Sequence, residues 1–155
     1  MSTALPPDLT LRPATMEDAA ILLSWRNDPA TIASSRDQRP IPLADHLKWL
    51  EAVIKSTNRR LYIAAMGNQP VGTVRVDEGD DGAELSWTVA PQYRGKGYGK
   101  QMVRAVTALQ HKRYWAETRL DNAASIRLVQ SLGFERGATR AGMVRWHLDK
   151  AAGPA

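Results

Sequence analysis

The order of segments in the chain predicts an α/β (α+β) domain, with a mostly antiparallel central sheet of about six to seven strands flanked by about four helices. Three observations predict it. Apolar runs at 61–66, 71–76 and 83–89 follow one another at hairpin spacing. Stretches of helical periodicity stand before and after that group. Further strand-like runs lie at 8–14, 113–120 and 143–148. With 155 residues, 43% of them hydrophobic, the chain has enough apolar surface for one core, so a single domain over residues 1–155 is expected, its core running from 8 to 148.

Residues 8–14, DLTLRPA, alternate apolar and polar as a strand does. Thr15 followed by Asp18 resembles a capping box, opening a helix with Met16, Ala19, Ala20 and Leu23 on one face. Asn27, Asp28 and Pro29 stop that helix. Leu43, Leu47, Leu50 and Ile54 then recur at helical spacing behind Pro42, which suits a first turn, so two helices precede the main sheet. LYIAAM, VGTVRV and AELSWTV, separated by GNQP and the acidic turn DEGDDG, read as an antiparallel meander. Met102, Ala105, Val106 and Leu109 mark a helix, RYWAETRL a strand, and Asn122 to Leu132 a second helix closed by Gly133. MVRWHL at 143–148 reads as a last strand, and KAAGPA as a short low-complexity tail.

Composition narrows the function. There is no cysteine, which excludes disulfides and thiolate metal sites and fits a reducing cytoplasm. The opening MSTALPPDLTLRP lacks the apolar stretch of a signal peptide, and the longest aliphatic run, AAILL, is too short to span a bilayer, so a soluble cytoplasmic protein without a membrane partner is expected. The net charge of +5 is uneven: residues 94–145 hold eleven Lys/Arg against three Asp/Glu, a balance of +8 that leaves −3 elsewhere. A local excess beside a glycine-rich stretch points to a small polyanion, or to a solvated basic face. Nucleic acid is disfavoured, because aromatics are only 6% and no reader motif is present.

The glycine-rich stretch is YRGKGYGKQ at 93–101, three glycines at alternate positions among cations. A P-loop fails, since Arg94 stands where its first glycine belongs and Gln101 follows the lysine. The dinucleotide pattern GxGxxG fails at Lys100. The spacing is R-x-x-G-x-G between a strand and an amphipathic helix, and here the chain resembles the GNAT superfamily of N-acetyltransferases. ELSWTVAPQYRGKGYGKQMV is similar to that family's fourth strand, acetyl-CoA loop and third helix, and ETRLDNAASIRLVQSLGF to its fifth strand and following helix.

The resemblance implies a mixed sheet splayed between strands 4 and 5, acetyl-CoA as co-substrate without a metal, and direct attack of a primary amine through a tetrahedral intermediate. Arg94, Gly95, Lys96, Gly97, Tyr98, Gly99 and Lys100 are then expected to hold the pyrophosphate. Val89 would sit at the thioester and offer its amide to the oxyanion, and Asn122 and Ser125 would reach the far side of the cofactor or simply cap a helix. An amine of pKa near 10.4 is almost wholly protonated at pH 7, so a base is useful; Glu117 is the first candidate and Glu84 the second. Val129 stands where many relatives carry a tyrosine that protonates the leaving thiolate, which leaves that proton to water or to a tyrosine such as Tyr114.

WRNDP at 25–29 with HLKW at 46–49 resembles acetyltransferases of nucleotide-linked amino sugars of the pseudaminic-acid pathway type, which makes Arg26, His46 and Trp49 acceptor-binding candidates. The same residues also read as core packing and a local ion pair. Two alternatives stay open. One is protein N-terminal acetylation of the ribosomal-protein type, whose members share an RP…D opening; the other is a GNAT-like domain that binds acyl-CoA without turnover. Small-molecule and peptide amines both remain acceptors, and a homodimer remains open.

Overall fold

The computed structural model describes residues 8–35, 37–109 and 113–150; the first seven residues and all but Lys150 of the tail lie outside it, with the readings made on them. Strand β1 (Leu9–Pro13) leads through a 3-10 turn (Met16–Asp18) to helices α1 (Ala19–Arg26), α2 (Pro29–Ser34) and α3 (Leu43–Lys55). Strands β2 (Arg59–Met66), β3 (Gln69–Asp77) and β4 (Ala83–Val89) form the meander. A second 3-10 turn (Pro91–Tyr93) precedes α4 (Tyr98–Thr107), followed by β5 (Arg113–Arg119), α5 (Ala123–Ser131), β6 (Glu135–Arg140) and β7 (Met143–Asp149). The seven strands run in the order β1-β2-β3-β4-β5-β7-β6. All neighbours are antiparallel except β4 and β5, which are parallel and register only at Ala83↔Tyr114 and Glu84↔Trp115. From Leu85 onward β4 has no partner on that side, so the sheet is splayed where the resemblance placed the splay.

Alternation along the strands sorts the side chains into two layers. Val74, Val76, Leu85, Ala116 and Trp146 face the side covered by α4 and α5, where Met102, Val103, Val106 and Val129 complete a core whose largest members are fully buried. Leu61 and Ile63 face the other side and pack with Leu22, Trp25, Leu50 and Val53 of α1 and α3. Burying each of these large side chains is worth about 1.5–3 kcal/mol, so both layers stabilise the sheet. The Trp146 indole N–H, deep in the first layer, donates to Thr118 Oγ1 at 3.0 Å and leaves no polar cost behind.

Four sequence readings need correction. At the first helix Met16 and Ala20 of the expected face are exposed, and the buried residues are Leu22 and Trp25. Asp28 and Pro29 stop α1 as expected, but they also start α2: Asp28 accepts from the amides of Ala30 and Thr31 at 3.2 Å each, and Pro29 takes the first helical position. On α3, Leu43, Leu47 and Ile54 are exposed, and the buried stripe is His46, Leu50 and Val53. Two apolar stripes lie side by side on this helix; spacing does not choose between them, whereas the bond from His46 Nε2–H to the Ala19 carbonyl at 2.9 Å locks the second one inward. Helix α4 ends at Thr107, so Leu109 lies beyond it and is exposed.

Candidate active site

The glycine loop is held at both ends. At its start, the Ala90 amide continues the β3–β4 ladder to the Val71 carbonyl at 2.8 Å, and the turn closes through Tyr93 N–H to Ala90 O at 2.9 Å. Gly95 and Gly97 have φ of +77° and +81°, a left-handed region that costs other residues about 1–2 kcal/mol. Nothing lies within 4 Å of where their Cβ atoms would be, so both face open space. Gly97 is the N-cap of α4, and the first bond of that helix is Gln101 N–H to Gly97 O, which leaves the amides of Tyr98, Gly99 and Lys100 without an acceptor inside the helix. Lys96 is exposed, 5.7 Å from the Tyr93 ring centroid, and Lys100 is half-buried. Free amides, the positive helix end and two lysines make a seat for a polyanion. At Gly99 a Cβ would come within 3.0 Å of Leu128 and 3.3 Å of Val89, so this glycine lets α4 settle against α5 and the end of β4.

Arg94 is placed differently from the other loop cations. Its Nη2 donates to Asp28 Oδ2 at 2.9 Å and to Thr31 Oγ1 at 2.8 Å, tying the loop to the start of α2. Burial alone would push the Asp28 carboxyl up, but the hydrogen bonds from Arg94 and from the Thr31 and Ala30 amides outweigh it and hold this group below the ordinary carboxylate range. Asn122 takes the capping role: its Oδ1 accepts from the Ser125 amide at 3.1 Å.

Beside the end of β4 lies a cavity of about 200 Å³ between the sheet and helices α1 and α3. Trp25, Arg26, His46 and Trp49 all line it, so WRNDP and HLKW converge on one wall. The rest of WRNDP holds that wall in place: Asn27 donates from Nδ2 to the Ile41 carbonyl at 2.9 Å and accepts from the Ile41 amide at 2.8 Å, fixing Ile41 on the rim. His46 does more than line the wall, since its bond to Ala19 joins α3 to α1, and its ring stacks on Trp49 at 5.9 Å. The opposite wall is the sheet, with Thr73 and Arg75 of β3 and Ser86 and Thr88 of β4. Sequence reasoning missed these four, although the i, i+2 rule already places Thr73 with Arg75, and Glu84 with Ser86 and Thr88, on one face each.

Glu84 and Glu117 share that sheet face, but neither lines the cavity. Glu117 lies two residues along β5 beyond Trp115, the partner of Glu84 and the last β5 residue in register with β4, and so nearer the loop end of the sheet than Glu84. Its Oε2 is 3.9 Å from Nη2 of Arg145, the residue opposite it on β7. Tyr114 does not serve as the thiolate's acid: it is 3% exposed in the core, at the far end of β4 from Val89, roughly 20 Å away at strand rise. Burial raises its phenol further above its usual value. Val129 is fully buried. The RP…D opening has a structural reason here: Arg12 donates from Nη1 and Nη2 to the two oxygens of Asp18 at 2.8 Å each, while the Thr15 amide donates to Asp18 Oδ2.

The fold is one that known proteins share. The family profile described as "Acetyltransferase (GNAT) domain" matches residues 8–135, and the chain belongs to that family of acetyltransferases. Among curated relatives, the uncharacterised N-acetyltransferase p20 of Bacillus licheniformis is 26% identical over 155 aligned residues, covering 88% of this chain and 84% of the relative. Among solved structures, the aminoglycoside acetyltransferase AAC(6')-Ib in complex with coenzyme A superposes with a TM-score of 0.78 at 24% identity, over 94% of this chain and 96% of the other. The spermidine N-acetyltransferase of Vibrio cholerae, in complex with CoA and spermine, superposes with a TM-score of 0.79 at 16% identity, over 93% and 96%. At these identities the two structures speak for the fold. No helix among the described residues is long and apolar enough to cross a membrane.

Proposed function

We propose that this acetyl-CoA-dependent N-acetyltransferase moves the acetyl group to the primary amine of a small molecule seated in the cavity between α1, α3 and the sheet. The observation that carries this is the splay: β4 loses its β5 partner after Glu84, and its free edge runs past Ser86 and Thr88 on the cavity wall to Val89 and the glycine loop. An open edge of this kind accepts an extended chain by backbone pairing, as the pantetheine arm is expected to do. The pyrophosphate then meets the amides of residues 95–99, with Lys96 and Lys100 beside it. Arg94 supports the loop from behind. The acceptor ammonium gives one proton to Glu117 or Glu84, its nitrogen adds to the acetyl carbon while the carbonyl electron pair moves onto oxygen, and the tetrahedral intermediate then collapses with cleavage of the C–S bond, the second proton of the nitrogen passing through water to the leaving sulfur. The products are an amide and the free thiol, and the Val89 amide is the donor proposed for the oxyanion.

Acceptors of the small-molecule kind are supported by the neighbours' aminoglycoside and spermine. A nucleotide-linked amino sugar is one instance of that class; what supports it is the convergence of WRNDP and HLKW on the cavity wall. Peptide N-termini are less favoured, because Arg12 and Asp18 satisfy each other and carry no substrate information.

The test is calorimetric titration with acetyl-CoA in chelator, parent against Gly97→Val, with melting temperatures measured in parallel. The parent should bind, and the variant, with a branched side chain in the left-handed region facing the phosphate seat, should lose at least about tenfold in affinity. Equal affinity would place the cofactor elsewhere.

A further inference from the structure

We infer that the acceptor carries an anionic group, a carboxylate or a phosphate, on a largely apolar body, and that Arg26 binds that group; this rests on reading the cavity as the acceptor's place. The cavity wall holds two guanidinium groups, Arg26 and Arg75, and no carboxylate among the described residues. Two indoles, those of Trp25 and Trp49, supply broad apolar faces. The two arginines differ in what they have left to give. Arg75 Nε donates to both oxygens of Asp77 at 3.0 and 3.1 Å, and its Cζ lies 5.5 Å from the Trp49 ring centroid. Arg26 Nη2 donates to the Asp37 carbonyl at 3.2 Å, whereas its Nη1 is buried and has no hydrogen-bond partner among the described residues.

A buried cationic N–H without an acceptor is costly, and proteins keep such a group where a ligand completes it. The Asp37 carboxylate acts on Arg26 by charge but makes no hydrogen bond to Nη1, and Arg39 holds its two oxygens at 3.0 Å each, through Nε and Nη2. A guanidinium fork matches carboxylate and phosphate oxygens alike. A polyamine needs the opposite lining, carboxylates to pair its ammonium groups, and would here meet like charge. So the chain shares its fold with a spermidine acetyltransferase and differs from it in acceptor charge.

The experiment titrates the full chain by calorimetry, with and without saturating coenzyme A, against matched amines. Phenylalanine is compared with phenylalaninamide for the carboxylate arm, glucosamine 6-phosphate with glucosamine for the phosphate arm, and spermine stands for the polycations. In at least one pair the anionic amine should bind about tenfold more tightly or better, and the responding arm identifies the group. Arg26→Leu should abolish that preference and Arg26→Lys retain part of it, with coenzyme A affinity as in the parent. Equal binding within both pairs, no binding of either anionic amine, a preference for spermine, or a preference that survives Arg26→Leu overturns the inference. Failure of the underlying reading looks different: the parent would then give no heat with coenzyme A itself.

Discussion

Asp28 holds three hydrogen bonds that make one corner of the molecule, two from the start of α2 and one from Arg94 in the glycine loop 66 residues away. If Arg94 acts by holding the loop, Asp28→Ala and Arg94→Ala should each weaken acetyl-CoA binding by about tenfold, with the double variant little worse than either, as measured by titration. If Arg94 instead reached the phosphate directly, freeing it with Asp28→Ala would leave binding unchanged or tighter. Because the Asp28 carboxyl titrates below its ordinary value, its contribution is present above about pH 4 and is lost as the pH falls through the lowered value. Glu117 is the carboxylate nearer the loop on the cavity's face, so Glu117→Gln should lower turnover by about 10²- to 10⁴-fold, a loss that narrows at high pH as the amine deprotonates unaided. The same titration of rate against pH for Glu84→Gln decides between the two; if both variants keep parental rates at neutral pH, no carboxylate base operates.

Among the elements, the β6–β7 hairpin carries a local strain with a ready test. Its two turn residues, Ala141 and Gly142, have φ of +53° and +79°, the pattern of a tight turn in which asparagine is favoured at the first position. Ala141→Asn should therefore stabilise the protein by about 1 kcal/mol, raising the melting temperature by about 2–4 °C in calorimetry; an unchanged or lower value would show that the turn bears no such cost. Strand β6 itself was not legible in the sequence, because ERGATR has neither alternation nor β-branched density and becomes a strand only by pairing with β7. Helix α2 was hidden for a related reason: Asp-Pro ends one helix and begins the next with the same two residues. By contrast the place of the glycine loop between β4 and α4 was legible, since glycine spacing is a local signal, although the pairing of Arg94 with Asp28 was not, and the meander was legible from its three apolar runs and the turn signals between them. The cavity was legible only in part. Trp49, His46 and Arg26 stood out as residue types, but Thr73, Arg75, Ser86 and Thr88 join them only once the sheet brings β3 and β4 under α1 and α3.

In the molecule as a whole, the two ligands occupy different parts on the proposed reading, the donor at the glycine loop and the acceptor in the cavity between the sheet and helices α1 and α3. The third of the chain from residue 94 to 145, with eleven Lys/Arg against three Asp/Glu, includes the glycine loop, α4 and α5, and on that reading its field favours a polyanionic donor. Helices α1 and α3 build one wall of the cavity proposed for the acceptor, and the splay between β4 and β5 lies between that cavity and the glycine loop in the proposed reading. The central claim is that the acetyl group passes straight from thioester to amine across that splay, with no covalent stop on the protein; the chain has no cysteine to offer one. Steady-state release of coenzyme A thiol, measured while acetyl-CoA and an accepted amine are varied together, tests it most directly. The account predicts amine-dependent release with intersecting double-reciprocal lines, and no acetyl label on the protein when the amine is left out. Parallel lines, label retained by the protein without amine, or acetyl-CoA binding with no release for any amine tried would contradict it.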